Sequence, residues 1–349
     1  MSKARLICRV FLLCAVIFGI SAALQAQDSP VTLSLVSETL TGTDCPFGTA
    51  LQPDGAAVWV VFADCHREHY SLRQFSTSTG EPIGEPIALF DDPEHDFFRL
   101  FSPHTLVVTP EGQLRLVVND IIAKRPVTYL IDPITGTSTR DEAVDAQVGA
   151  FINRFTPYVT GVSFSPGQTY AAAVDDTDLD VIDFANQSPL FTLPTTTTAN
   201  GFSAASQFFT LDSGTLEVYR LPEGESVGAY SVPLQGLMIY PSDDGRYIAI
   251  DSDTDQLGIF DTLTGSLSNL ISLTLPPFTV TDCSVRDPIA DAALDLSQGS
   301  LWIRDLIWLP DGDTFLTVSE YVGDGMTQGR ENGCDSTSTR LQLYHVDGE

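Results

Sequence analysis

Lysine is nearly missing from this chain of 349 residues: it occurs only at Lys3 and Lys124. Basic residues number 17 against 46 acidic ones, and the formal net charge is −29. Binding to nucleic acid or to an anionic membrane begins with Lys and Arg meeting phosphate groups, so the composition argues against both partners. Such an acidic surface favours solubility, and it also leaves open a surface that collects cations or basic partners.

The familiar catalytic and nucleotide-binding motifs are absent as well. The sequence contains no GxSxG, SxxK, HExxH, Walker glycine loop or GxGxxG. These absences give no support to the reaction classes that the motifs mark. A catalytic triad assembled from distant residues stays open, and His95 and His104 would be its candidates, although surface or packing roles suit lone histidines better.

The chain has one long apolar run, at residues 10–24, and three basic residues precede it. This order is typical of a secretory signal, and the run is shorter than the roughly 18 residues that a membrane-spanning helix requires. We therefore predict a signal peptide at 1–26, a mature domain at 27–349, and a secreted or periplasmic protein; an uncleaved anchor is the alternative. Removing the three basic residues would take the formal charge from −29 to −32.

Short segments with one pattern recur along the mature chain. Each has an apolar strand, a Pro-Asp-Gly-like turn and a second, strongly apolar strand, which together predict a β-hairpin. The five segments are TALQPDGAAVWVVFAD, LVVTPEGQLRLVVND, VSFSPGQTYAAAVDD, MIYPSDDGRYIAIDSD and LIWLPDGDTFLTVSE. A sixth unit without the proline fits the wider gap that starts at GFSAASQFFTLD.

Most units continue with a third strand, a Thr-Gly turn and a weaker fourth strand, as in YLIDPITG and GIFDTLTG. Four strands at this period predict an all-β, single β-propeller of six blades, with little helix. The second strands are nearly continuous in apolar residues rather than alternating, as expected for strands covered on both faces. A seventh blade within 276–303 is the alternative to an inserted loop there.

The last unit lacks a fourth strand, while the segment VTLSLVSETL at 31–40 has no unit of its own. We predict that this N-terminal strand completes the last blade and closes the ring, which leaves no long unpaired edge. The repeated pattern resembles the bacterial WD-repeat-like, YVTN-type and TolB-type propellers over essentially the whole mature chain. The Gly-His and Trp-Asp pairs of true WD repeats are not present.

Four cysteines follow the signal, and export would permit disulfides between them. In the blade pattern, Cys45 and Cys283 precede first strands, whereas Cys65 and Cys334 lie between second and third strands of the same blades. We predict the pairs Cys45–Cys65 and Cys283–Cys334. A zinc site at CHREH, residues 65–69, is a weaker alternative because no CxxC accompanies it.

Aspartates recur where second strands end. The candidates for a binding face are Asp64, Asp176, Asp178, Asp212, Asp251 and Asp253. Alternating aspartates offer oxygen ligands to calcium, but an EF-hand glycine and acidic twelfth residue are lacking, and Asp also simply builds turns. The sequence thus predicts no cofactor, with calcium as a weak possibility.

Two functions remain compatible with these patterns. The favoured one is a non-enzymatic exported propeller that binds a protein or polymer partner through loops on one face, because loops on rigid scaffolds carry function. The alternative is a metal-dependent, lactonase-like hydrolase with carboxylates around a divalent ion on the channel axis. The fold is common to both.

Overall fold

The computed structural model describes most of the mature chain. The described residues are 31–42, 44–63, 69–91, 97–99, 104–120, 125–152, 162–174, 178–184, 186–194, 199–252, 256–275, 299–323 and 336–348. The predicted signal peptide at 1–26 lies outside these ranges.

The strands form six antiparallel sheets that follow one another along the chain and make a six-bladed β-propeller, as predicted. The chain starts with β1 (Thr32–Gly42), which belongs to the last blade. The first three blades comprise β2 (Cys45–Leu51), β3 (Ala57–Ala63), β4 (His69–Ser76) and β5 (Ile87–Asp91); β6 (Phe97–Arg99), β7 (Leu106–Val108), β8 (Leu114–Asp120), β9 (Arg125–Ile131) and β10 (Ser138–Arg140); and β11 (Val162–Phe164), β12 (Tyr170–Val174), β13 (Leu179–Asp183) and β14 (Ser188–Leu193).

The second half of the ring repeats the same order of strands from the channel outward. Its blades comprise β15 (Ala199–Phe202), β16 (Gln207–Asp212), β17 (Thr215–Arg220) and β18 (Glu225–Ser231); β19 (Gly236–Pro241), β20 (Tyr247–Ser252), β21 (Gln256–Asp261), β22 (Ser266–Leu267) and β23 (Ile271–Ser272); and β24 (Thr274–Leu275), β25 (Gly299–Trp308), β26 (Thr314–Gly323) and β27 (Ser336–Asp347), with β1 outermost.

The N-terminal strand closes the ring. β1 pairs antiparallel with β27 along its whole length, from Thr32 opposite Asp347 to Gly42 opposite Thr339. This confirms the prediction made for 31–40, and the strand extends two residues further. The first and last described strands of the chain are therefore neighbours in one sheet.

The hydrophobic core is divided into six clusters, one at each interface between neighbouring blades. At the interface that joins the ends of the ring, Val58 and Phe62 of blade 1 pack with Leu316 and Val318 of blade 6. The second strands supply residues to the clusters on both of their sides, since Val60 lies in one cluster and Val61 in the next. This explains why those strands are apolar at successive positions.

The turns between third and fourth strands are closed by side chains as well as by the backbone. The Asp132 carboxylate accepts hydrogen bonds from the amides of Ile134 at 2.8 Å and Thr135 at 3.3 Å. These bonds lower the pKa of Asp132, the Ile134 contact being the larger cause. Gly136 completes the turn at φ 72° and lies against Ala88 and Ile87 of the preceding blade. The turn thus also docks one blade onto another.

The α-helix α1 (Glu142–Ile152), between blades 2 and 3, was not predicted. The Asp141 carboxylate accepts from the Val144 amide at 3.1 Å, and the acidic first turn suits the helix dipole. Val148 is fully buried against blade 3. The helix also covers the edge of β9, because the Asp145 carboxylate accepts a hydrogen bond from the Thr128 amide.

One predicted boundary was wrong. Residues 299–303, assigned to an inserted loop, belong to the inner strand β25, which pairs with β26 up to Gly323. The fourth strand of blade 5 is interrupted between β22 and β23, where the Ser268 hydroxyl accepts the hydrogen bond of the Ile259 amide at 2.9 Å. The remainder of the predicted loop, 276–298, lies outside the described residues.

Candidate functional site

The two ends of the ring differ in how their strands are connected. At one end, the tight-turn face, lie the first-to-second and third-to-fourth strand turns, of which the longest is 77–86. The second strands end and the third strands begin at the opposite end, the loop face, where successive blades are also joined. Residues 276–298 and 324–335, which follow β24 and β26 in the sequence, lie outside the described ranges. The antiparallel order of the strands fixes this division.

The described members of the predicted acidic set lie on the loop face. Asp178, Asp212 and Asp251 stand at the second-to-third strand connections of blades 3, 4 and 5, which are consecutive. Asp212 is exposed and accepts a hydrogen bond from the Ser213 hydroxyl at 3.0 Å, while Asp178 and Asp251 are partly buried. The other three candidates, Asp64, Asp176 and Asp253, lie outside the described residues.

The predicted disulfides fall mostly outside the described part of the chain. Cys65, Cys283 and Cys334 belong to ranges that are not described. Cys45 is the first residue of β2 rather than part of the preceding loop, and it pairs with Ala63. The two pairings therefore remain predictions. Among the described residues, no cluster of three or more His, Cys, Asp or Glu side chains is suited to hold a metal ion.

Hydrogen bonds join neighbouring blades around the channel, at all six interfaces. In ring order from the junction of blades 6 and 1, they run from the Thr49 hydroxyl to the Asp305 carboxylate, from the Thr105 hydroxyl to the Phe47 carbonyl (3.4 Å), from Gln168 Nε2 to the His104 carbonyl (3.0 Å), from the Ser163 hydroxyl to Asn200 Oδ1, from the Ala205 amide to the Asp243 carbonyl (2.9 Å), and from Trp308 Nε1 to the Tyr240 carbonyl (2.9 Å). Buried polar groups of this kind are stable only when paired, so these bonds fix the channel wall.

Within the described inner strands, the acidic residue is Asp305, and its carboxylate is already hydrogen-bonded. Asp305 is 4% exposed, and besides Thr49 it accepts a hydrogen bond from the Leu306 amide at 2.9 Å. Local spacing in the sequence did not single out Asp305, Asn200 or Ser163, because their partners lie on other blades. The sequence feature that could have identified these residues is a polar side chain within an otherwise apolar first strand.

A cavity of about 290 Å³ opens into the channel at the tight-turn face, and residues of all six blades line it. The cavity contains His104, which the sequence had singled out, and Asp243, which it had not. His95, its companion candidate for a triad, lies outside the described residues.

A second, more open cavity of about 510 Å³ lies between blades 4 and 5, also on the tight-turn side. Its wall includes Gln207, whose Oε1 is buried and accepts no hydrogen bond from the described residues. Gly245 lies directly against this oxygen, and a Cβ there would stand 2.0 Å from it. The left-handed conformation of Gly245, φ 74°, in the turn closed by its amide and the Ser242 carbonyl accounts for the glycine.

Comparisons with known proteins give no family. A scan against protein-family models found no match, and a search of the curated proteins found none either. Within the described residues, no helix has both the length and the apolar character needed to cross a membrane. The function must therefore be argued from the propeller and its two faces.

Proposed function

We propose that this chain is an exported, non-enzymatic propeller scaffold that binds a protein or polymer partner through the connections of its loop face. The uneven length of the connections supports this proposal most directly: the tight-turn face consists of compact turns, while the long connections leave from the other end. Long connections on a rigid ring provide a surface that can vary without loss of the fold.

The charge of the protein supports a positively charged partner. The chain carries −29 formally, and the carboxylates of Asp178, Asp212 and Asp251 follow one another along the loop face on three consecutive blades. Complementary charge speeds the encounter of two macromolecules and selects among partners. A lysine-rich protein or a polycationic polymer fits this face.

The test measures binding of poly-L-lysine to the mature chain at several sodium chloride concentrations. A triple variant of the loop face, Asp178→Asn, Asp212→Asn and Asp251→Asn, is compared with a triple variant of exposed tight-turn-face carboxylates, Glu81→Gln, Glu85→Gln and Glu111→Gln. Both variants change the net charge equally. We expect affinity to fall about tenfold more in the first than in the second, and all affinities to weaken with salt.

Equal losses in the two triple variants would show that only net charge matters and would contradict the choice of face. Absence of binding by the wild type would contradict a basic partner altogether.

Thermal unfolding in EDTA and then with calcium, magnesium, manganese or zinc addresses the hydrolase alternative. An ion at a hundredfold excess over its Kd raises the stability by about 2.7 kcal/mol, and such a shift would direct the search to lactone substrates.

A further inference from the structure

The cavity at the tight-turn face, here named the channel mouth, has the size of a small-molecule site. Its volume of about 290 Å³ lies near the lower end of the range for ligand pockets, roughly 300–1,000 Å³. Each blade contributes at least one residue, and the six hydrogen bonds between blades hold its wall in place. The mouth is therefore a preformed space whose wall is fixed by contacts between blades.

An irregularity in blade 2 places His104 in this space. The inner strand of that blade is split into β6 and β7: Arg99 of β6 pairs with Val118 of β8, and Leu106 of β7 pairs with Leu116. His104 adopts φ 60°, a left-handed conformation that few residues other than glycine take up. Its carbonyl is held by Gln168 Nε2 at 3.0 Å. Interruptions of this kind redirect a side chain and are common beside binding sites.

The imidazole of His104 is a neutral polar group inside the mouth. Protein atoms surround it, and this burial lowers the pKa of His104 to about 4. No described residue forms a hydrogen bond with either ring nitrogen, although the backbone carbonyl is paired. The neutral ring adds no charge to the wall of the mouth.

The charge at the rim selects the sign of the ligand. Asp243 is exposed at the rim, yet the walls of the mouth desolvate its carboxylate and, with the charge of Asp244, raise its pKa. No Lys or Arg occurs among the described residues that line the mouth. Anions would meet this carboxylate and the net charge of −29 without any compensating cation.

The rest of the wall is mainly apolar. Strand residues such as Leu51, Val108 and Ile307 are partly exposed there, and the buried side chains of Phe202 and Trp308 complete the lining. Apolar walls with one or two placed polar groups are the usual composition of a ligand pocket. Removing an apolar group from water supplies the affinity, while the polar groups fix its orientation.

We propose that the channel mouth binds a small, mostly apolar amine, with its ammonium group at Asp243 on the rim and its apolar part within the channel between the inner strands, toward His104. This site lies at the opposite end of the ring from the loop face and is independent of the macromolecular partner. Ammonium compounds suit it because the carboxylate attracts the cation, while the apolar wall of the channel takes up the rest of the molecule.

Three probes of similar shape and different charge test the proposal: 2-phenylethylamine, 2-phenylethanol and phenylacetate, titrated into the full mature chain by calorimetry. We expect saturable binding of the amine, about tenfold weaker binding of the alcohol, and no saturable binding of phenylacetate. Trp308 lines the mouth, so its fluorescence should change with the same dissociation constants.

Variants then locate the site. Asp243→Asn should make the amine bind no better than the alcohol, whereas Glu111→Gln, an exposed carboxylate on the neighbouring turn of blade 2, should leave the preference intact. Val108→Trp should fill the mouth and weaken both ligands at least tenfold, with thermal unfolding as the check of folding.

Two results would overturn the proposal. The first is equal affinity for the amine and phenylacetate, which would show that Asp243 exerts no selection. The second is an Asp243→Asn variant that keeps the preference for the amine. Because Asp243 is exposed, this variant is expected to fold, and the test does not depend on Val108→Trp. Poly-L-lysine binding at the loop face is measured separately and can fail or succeed without affecting either result.

Discussion

The side-chain amide of Asn269 forms two hydrogen bonds with the main chain of Leu33. Its Oδ1 accepts from the Leu33 amide at 2.6 Å, and its Nδ2 donates to the Leu33 carbonyl at 3.2 Å. Asn269 lies in the interruption of the fourth strand of blade 5, and Leu33 belongs to β1 in blade 6. The side chain thereby replaces a strand-to-strand contact and fixes the closing strand to the blade beside it.

Replacing Asn269 by Ala should weaken the closed ring. Leu33 is 4% exposed, so its amide and carbonyl would lose their partners in a poorly hydrated place, and we expect a loss of about 1–3 kcal/mol in the free energy of unfolding. Urea denaturation of the purified domain measures it. Asn186→Ala is the matched control, because Asn186 is exposed and bonds only within its own turn. Equal losses would argue against a role in closure.

Alternate residues of β1 should differ sharply in their contribution to the free energy of unfolding. Leu33 packs with Tyr247 and Phe315 between blades 5 and 6, whereas Leu35 is 49% exposed. We expect Leu33→Ala to cost about 2–5 kcal/mol and Leu35→Ala less than about 0.5 kcal/mol in denaturant unfolding. If both substitutions had small effects, the N-terminal strand would not contribute to the stability of the propeller.

Two turn glycines with similar backbone angles should respond differently to alanine. Gly112 has φ 81° with no atom within 4 Å of an added Cβ, so Gly112→Ala should cost only the left-handed conformation, about 1 kcal/mol. At Gly136, φ 72°, the Cβ would stand 2.5 Å from the Ala88 carbonyl oxygen. Displacement of that strand should raise the cost of Gly136→Ala to about 3 kcal/mol. Thermal and urea unfolding compare the two, and equal costs would show that the blade 1 contact is unimportant.

His104 should make stability depend on pH. Its pKa is lowered to about 4 in the folded state, so the unfolded chain takes up the proton first, near pH 6.5. The contribution of the neutral ring is therefore complete above pH 6.5 and is lost as the pH falls towards 4, by about 3 kcal/mol. Unfolding free energies at intervals from pH 7 to pH 4 should fall more steeply for the wild type than for His104→Asn. Parallel curves would contradict this assignment.

The disulfide pattern is a separate expectation from the sequence. Peptide mapping of the exported, unreduced protein should recover Cys45 linked to Cys65, and Cys283 linked to Cys334. Reduction should then lower the stability, by roughly 3 kcal/mol for the shorter loop in the chain-entropy model. Recovery of Cys45 with Cys283 or Cys334 would contradict the assignment of each pair to a single blade.

Regular features of this fold could be predicted from the sequence because each depends on residues close together in the chain. The Asp132 turn, the apolar second strand at Val58–Phe62 and the missing fourth strand of the last blade all leave a local pattern. The closing strand was predictable by elimination, since 31–40 had no unit of its own. These patterns recur in several units, so the units together support the prediction more strongly than any single segment does.

The irregular features escaped because their causes lie elsewhere in the chain. The Asn269 side chain meets Leu33 across 236 positions, and the separate strands β6 and β7 both pair with β8. Helix α1 carried a weak signal, an Asp141 cap followed by Val144 and Val148 at a spacing of four, within a sequence otherwise typical of strands. The channel mouth likewise draws on six blades, so no single stretch indicated it.

The pairing of β1 with β27 also imposes an order on biosynthesis. A ribosome makes residues 32–42 early, but their partner strand at 336–347 is among the last segments made. The ring can therefore close only after β27 has been synthesised. Until then, five blades can form with partners that are close in the chain. The side of β1 that is buried in the closed ring, including Leu33, stays exposed to solvent during this time. A premature stop before β27 would leave an open arc with two unpaired edges, a species suited to recognition by chaperones and proteases.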